Sequence, residues 1–428
     1  MSHTLRLSLA AVTSLIASAP LAAQEPCCRR EALEVADLYR LDGLDSRRFK
    51  YEQYWRVLEP VARSERIRVT PLGKSVQGRE IRAVSFGSGD VTVLMWSQMH
   101  GDESTATMSL ADILHWVADS PEGDALRSLL EDRLTVVLVP MLNPDGAERF
   151  RRENSLGVDI NRDARRTATP EARILKALRD SIHADFGVNL HDQGTNSAGE
   201  GGALVAIALL APAADEARSW GPVRERARRV ASVIAESLAP DLEGRLARYD
   251  DAYAARAFGD NMQTWGTSTV LIESGILPGD PEKQELRRLN VVALLSALHG
   301  IATGRSDTAS TAAYDALPEN RDIDYDLLVL GGHLVVGTAG PIRADLAIRF
   351  DDSAARTGPT YGEIGDLAEA VAVDTIRVDG LFLHAEPDES GTIHPGAAVR
   401  LAVRRGPEPE SQLVWEMAAA SGPEPHPR

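Results

Sequence analysis

The chain has 428 residues, more than one compact core usually holds, so one large domain plus a smaller one is expected. Its make-up, 43% hydrophobic and 25% charged, is that of an ordinary globular protein and excludes bulk disorder. A formal net charge of -17 repels phosphates, which argues against nucleic acid and anionic membrane surfaces as partners.

The first residues read as an address. MSHTLRLSLAAVTSLIASAPLAAQEP has a basic start at Arg6, an apolar stretch from Leu7 to Ala19 and small residues at Ala22 and Ala23, the anatomy of a signal peptide over residues 1–23. The stretch is short for a membrane anchor, and no later run approaches about 18 apolar residues. A secreted or periplasmic mature chain without a stable membrane span is therefore expected, with residues 24–46 as an N-terminal segment. The only cysteines, Cys27 and Cys28, are adjacent, which leaves no disulfide framework and no thiolate metal site.

From residue 47 to 303, short apolar runs alternate with amphipathic stretches, the pattern of an α/β layer fold. IRAVSFG, VTVLMWS, LTVVLVP, GVNLH, ALVAIALL and STVLIES are rich in Val, Ile and Leu with little polar alternation, which predicts central strands covered on both faces. TPEARILKALRDSIHAD predicts a helix with Thr169 as N-cap and Pro170 at its first position; Asp280 and Pro281 repeat the device. Residues 304–323 read as a polar linker. From 324 to 417, β-prone runs punctuated by Gly and Pro predict a small β-rich accessory domain, followed by a loose tail over 418–428.

Chemistry in such a fold gathers where strands end. His100 and Glu103 stand three apart just after VTVLMWS, and Gly101 eases the turn that would let imidazole and carboxylate converge on one cation. Alone the pair is a weak signal, and His191, at the end of GVNLH, taken alone reads as a hydrogen-bonded core histidine. Together the three make the open two-histidine, one-carboxylate set of catalytic zinc. Glu273 closes the apolar run STVLIES, an unsuitable place for a purely structural carboxylate and a suitable one for a general base.

The stretch VLVPMLNPDGAERFRRENSLGVDINRD lies between these residues. With H-x-x-E before it and single His and Glu residues after it, it resembles the zinc carboxypeptidases of the carboxypeptidase A type, over roughly residues 47–303. The resemblance implies a mixed central sheet covered by helices on both faces, one Zn2+ per chain held by His100, Glu103 and His191, and catalytic roles for Glu273 and Arg152, the latter steadying an oxyanion. It implies that Asn161 and Arg162 clamp a peptide's free C-terminal carboxylate, and a planar guanidinium suits that task. It assigns Asp145, in the N-P-D-G turn, to His100 as a hydrogen-bonding partner. Tyr253, in preference to Tyr249, is the expected substrate-covering tyrosine, and Arg79 an outer substrate contact. Asp250, Asp251 and Asp260 would favour a basic residue if one points inward; otherwise they are solvated loop charges.

Two departures from the family pattern bear on substrate choice: Asp163 and Ala164 in NRDARR, and the polar HDQG after the third ligand. The C-terminal stretch resembles the small β-domain that flanks amidohydrolase barrels, which implies a β-sandwich-like fold and no chemistry. The reading is an exported zinc metallocarboxypeptidase acting on peptides. Its rivals are an amidase acting on cell-wall peptides or acyl-amino acids with the same catalytic residues, and a non-catalytic binding protein on this fold.

Overall fold

The computed structural model describes residues 28–337 and 339–418; the expected signal peptide lies outside the described residues, as does nearly all of the tail. Ten strands belong to the N-terminal body: β1 (Arg68–Lys74), β2 (Glu80–Phe86), β3 (Val91–Trp96), β4 (Leu134–Val139), β5 (Phe186–Asp192), β6 (Asn196–Ala198), β7 (Ile207–Leu210), β8 (Leu246–Arg248), β9 (Ser268–Ser274) and β10 (Asn320–Asp322). Eight of them form one mixed sheet in the order β1-β2-β4-β3-β5-β9-β7-β8, with β4, β3, β5 and β9 parallel to one another at its centre. The apolar runs without polar alternation are these central strands. Successive residues of β3 feed opposite cores, Val93 and Met95 one face, Leu94 and Trp96 the other. Edge strand β1 is largely exposed and carries Arg68, Pro71 and Lys74, devices that blunt an open edge.

Nine helices of six residues or more cover this sheet among the described residues: α1 (Arg29–Leu38), α2 (Tyr51–Leu58), α3 (Thr105–Asp119), α4 (Ala125–Arg133), α5 (Pro144–Arg149), α6 (Pro170–Ile182), α7 (Pro222–Leu238), α8 (Phe258–Thr264) and α9 (Gln284–Ala302). Helices α3, α7 and α9 share the core of one face, while α6 and α8 supply Leu175, Phe258 and Met262 to the other. Thr169 caps α6 as expected, its hydroxyl accepting from Ala172 N. Helix α9 starts at Gln284, later than Asp280 and Pro281 predict, because Lys283 adopts left-handed φ 52 and turns its amine inward to Asp192 and the Ser274 carbonyl. Asp280 still receives the backbone N–H groups of Gln284, Glu285 and Leu286.

The segment expected as a polar linker is folded onto the body. Tyr314 is 1% exposed and its hydroxyl accepts from Ala211 N, and β10 pairs antiparallel with β6. Nine further strands follow: β11 (Tyr325–Leu330), β12 (His333–Val336), β13 (Ala339–Arg343), β14 (Asp345–Asp352), β15 (Thr357–Gly365), β16 (Ala372–Arg377), β17 (Phe382–Ala385), β18 (Arg400–Arg404) and β19 (Leu413–Ala418). They form two sheets, β15-β14-β11-β16 and β13-β12-β17-β18-β19. Leu346 and Ile348 of the first meet Leu383 and Val403 of the second in one core, so this β-rich module is a sandwich.

Candidate active site

The site is built on the ends of β3, β5 and β9. Beyond β3 the chain turns through Gln98, at left-handed φ 46, and Gly101. A Cβ on Gly101 would lie 2.0 Å from the carbonyl carbon of Gly146, so only glycine lets this turn rest against the N-P-D-G turn that opens α5. Asn143 ties the two together: its backbone N donates to Gln98 O, its Oδ1 accepts from Gly146 N, and its Nδ2 donates to Arg152 O. The packed turns thereby fix where His100, Glu103 and Arg152 stand.

His100 and His191 are 1% and 3% exposed, and their Nδ1 atoms lie 3.1 Å apart. Glu103 spans both: Oε1 is 2.8 Å from His100 Nδ1 and Oε2 is 2.6 Å from His191 Nδ1. The ligand atoms of the three residues all lie within 4.8 Å of one another. The group fits a zinc site. Asp159 Oδ1, 3.1 Å from His100 Nε2, favours the tautomer that leaves a lone pair on Nδ1, and that lone pair, with the facing imidazole of His191 and the Glu103 carboxylate, makes a donor set suited to a cation.

Arg152 completes this cluster. Its Nε and Nη2 make a two-pronged contact with Asp159 Oδ2, while Nη1 reaches His100 Nδ1 at 3.1 Å and Glu103 Oε1 at 3.3 Å. Burial would lower the His100 pKa, but the charges of Glu103 and Asp159 outweigh it and raise it to about 9. For Glu103, burial opposes ionisation, yet the two imidazoles hold its carboxyl well below the usual range. Glu273 lies beside His191 on β9; burial, reinforced by the Glu103 charge, pushes its carboxyl well above the usual range. A cation among the ligands acts in the opposite sense.

These groups border a cavity of about 460 Å³. Asn161 and Arg162 line it; Asn161 Oδ1 accepts from Phe258 N, which seats α8 against the wall. Asp260, on α8, lines it too, and burial raises its pKa to about 6. Asp250 also lines it, whereas Asp251 is bound by Arg218 and Arg224.

Three expected placements are corrected. Asp145 does not reach His100: it accepts from Ser75 Oγ, Gln77 N, Arg79 Nη1 and Ser155 Oγ, and Asp159 takes its place. Arg79, held by Asp145 and Gln77, faces a separate outer groove beside Trp55 and Arg82. Tyr253 does not line the cavity, whereas Tyr249 does, and the nearby Glu273 charge raises its pKa. The signal for Asp159 was present in G-V-D-x-N-R, which places it two residues before Asn161. No comparable signal separates the two tyrosines in their irregular loop.

Residues 51–189 match the family model described as zinc carboxypeptidase. This span holds His100, Glu103, Arg152, Asn161 and Arg162; His191 and Glu273 follow it. Over 124 residues the chain is 29% identical to an uncharacterized protein of Zymomonas mobilis, covering 28% of this chain and 32% of that one. It is 28% identical over 102 residues to carboxypeptidase SOL1 of Arabidopsis thaliana, covering 22% of this chain and 21% of that one. The matches thus span about a third and a fifth of these relatives' lengths. The fold is similar to that of thrombin activatable fibrinolysis inhibitor, with a TM-score of 0.50 at 12% identity, over 65% of this chain and 81% of that one. Over residues 51–189 and the motifs they contain, the chain is thus similar to the zinc carboxypeptidase family.

Proposed function

We propose that the protein is an exported, zinc-dependent metallocarboxypeptidase that hydrolyses the C-terminal bond of peptides. The observation that carries the reading is the convergence of His100, Glu103 and His191 on one point with Glu273 on the adjacent strand. His100, Glu103 and His191 would hold one zinc ion, which supplies Lewis acidity and lowers the pKa of water. Glu273 takes the proton of the attacking water and passes it to the leaving amine. Arg152 donates to the oxygen on which negative charge develops, and Asn161 and Arg162 bind the terminal carboxylate, so a free C-terminus is required. Tyr249, which lines the cavity with these groups, would cover the scissile bond.

The test compares one peptide with a free carboxylate against the same peptide amidated at that end. Rapid release of the last residue from the free form alone supports the reading. Equal cleavage of both, or cleavage only of acyl-amino acids, replaces it with an amidase on the same catalytic groups.

A further inference from the structure

Glu103 and Arg152 line two recesses. One is the cavity of about 460 Å³ that holds Asn161, Arg162 and Asp260; the other, of about 430 Å³, is bordered by Arg47, Phe150 and Lys283 from the body and by Ser353 and Ala354 from the turn between β14 and β15. Asn161 and Arg162 border only the first, and Ser353 and Ala354 only the second, so the ligand set stands between a carboxylate-binding end and a wall supplied by the β-sandwich. A third recess, of about 580 Å³, continues from Ser353 and Ala354 along Ile276, Ile323 and Phe350 between body and module.

The turn is held in place and does not hang free. Arg47 and Arg48 both pair with Asp352, Arg48 lies 4.2 Å over the Phe150 ring, and Asp352 Oδ1 accepts from Ala355 N. Two residues before Asp352, Phe350 N donates to Asp326 Oδ2, whose other oxygen accepts from Thr195 Oγ1 of the body. The module therefore presents a fixed surface to the site, with two guanidinium groups against a single carboxylate at the seam.

We infer that the β14–β15 turn of the C-terminal module is part of the substrate site, forming the wall against which the residues on the N-terminal side of the cleaved bond lie. This rests on the proposed peptidase reading. With the terminal carboxylate at Asn161 and Arg162 and the scissile bond at the ligand set, the rest of an extended peptide leaves through the second recess, because the first is occupied by the departing residue. The same recess of about 430 Å³ is bordered by Glu103 and Arg152 at one side and by Ser353 and Ala354 at the other, so the chain that leaves through it meets the turn. The module thereby makes the enzyme selective for peptides over single acylated amino acids.

The experiment fills the recess from the module side and leaves the catalytic groups untouched. Ala354→Trp, and separately Ser353→Trp, are assayed on a dipeptide and on a five-residue peptide ending in the same two residues. The expected result is a fall of about tenfold or more in kcat/KM for the five-residue peptide, with the dipeptide changed by less than about twofold. An equal effect on both substrates, or none on either in both variants, overturns the wall. A parent enzyme that releases no C-terminal residue from either substrate overturns the peptidase reading itself, and the inference with it.

Discussion

His191 and Glu273 are register partners on neighbouring parallel strands, β5 and β9. The sheet itself sets the spacing between a candidate metal ligand and the candidate base, so replacing one side chain leaves the other in position. Glu273→Gln is therefore expected to bind zinc as the parent does and to lose kcat by roughly 10²–10⁴-fold. Metal analysis and turnover on the same preparation check this; parental turnover would remove Glu273 from the mechanism.

Two aspartates in the motif region part company. Asp159→Asn removes the negative charge from the acceptor at His100 Nε2 and is expected to weaken zinc affinity about 10- to 100-fold. Asp145→Asn disturbs Ser75, Gln77 and Arg79 instead, and is expected to lower the melting temperature while leaving zinc affinity within a few-fold. Competition titration with a chelator of known affinity separates the two.

Zinc uptake should depend on pH through His100. In the metal-free protein this imidazole keeps its proton up to about 9, so binding at neutral pH expels it. Apparent affinity is then expected to rise with pH, approaching tenfold per unit, and to level off above about 9. Proton release on mixing with zinc in weak buffer measures the same event directly.

Asp260 gives the cavity beside the ligand set a titrating charge. With its pKa raised to about 6, it is neutral in mild acid and negative above. The ratio of kcat/KM for peptides ending in Lys to those ending in Leu is expected to climb between about pH 5 and about pH 7, and Asp260→Asn should flatten the climb. A ratio independent of pH in the parent would place the carboxylate away from the substrate.

Away from the site, Asp112 and Arg287 form a pair 2% or less exposed, joined by two charge-assisted hydrogen bonds, and Asp112 also accepts from Leu41 N. Asp112→Ala leaves a buried guanidinium uncompensated. A loss of about 3–5 kcal/mol in denaturant unfolding is expected, with zinc content per folded molecule unchanged.

The central sheet was legible because β3, β4, β5 and β9 are buried on both faces and so spell continuous apolar runs. The grouping of His100, Glu103, His191 and Glu273 was legible for a related reason: His191 and Glu273 stand at the ends of such runs, and His100 and Glu103 follow one within a few residues. The choice between Asp145 and Asp159 was not, since both lie in turns and only the docking of α5 on Gly101 decides which carboxylate reaches the imidazole. Tyr249 and Tyr253 differ by four residues in a loop without periodicity. The start of α9 was misplaced because Lys283 turns inward to Asp192, 91 residues away in the chain. Contacts across such separations leave no local pattern, and the pairing of Arg48 with Asp352, 304 residues apart, beside the wall at Ser353 and Ala354, leaves even less.

Tyr314 and the β6–β10 pairing clamp the crossing between the two halves at its middle and at its far end. Neither half is a bead that can be cut off and swapped without injury. A protease would meet paired backbone where a slack tether was foreseen, and an ancestral recombination that exchanged the sandwich would have had to carry its clamp along.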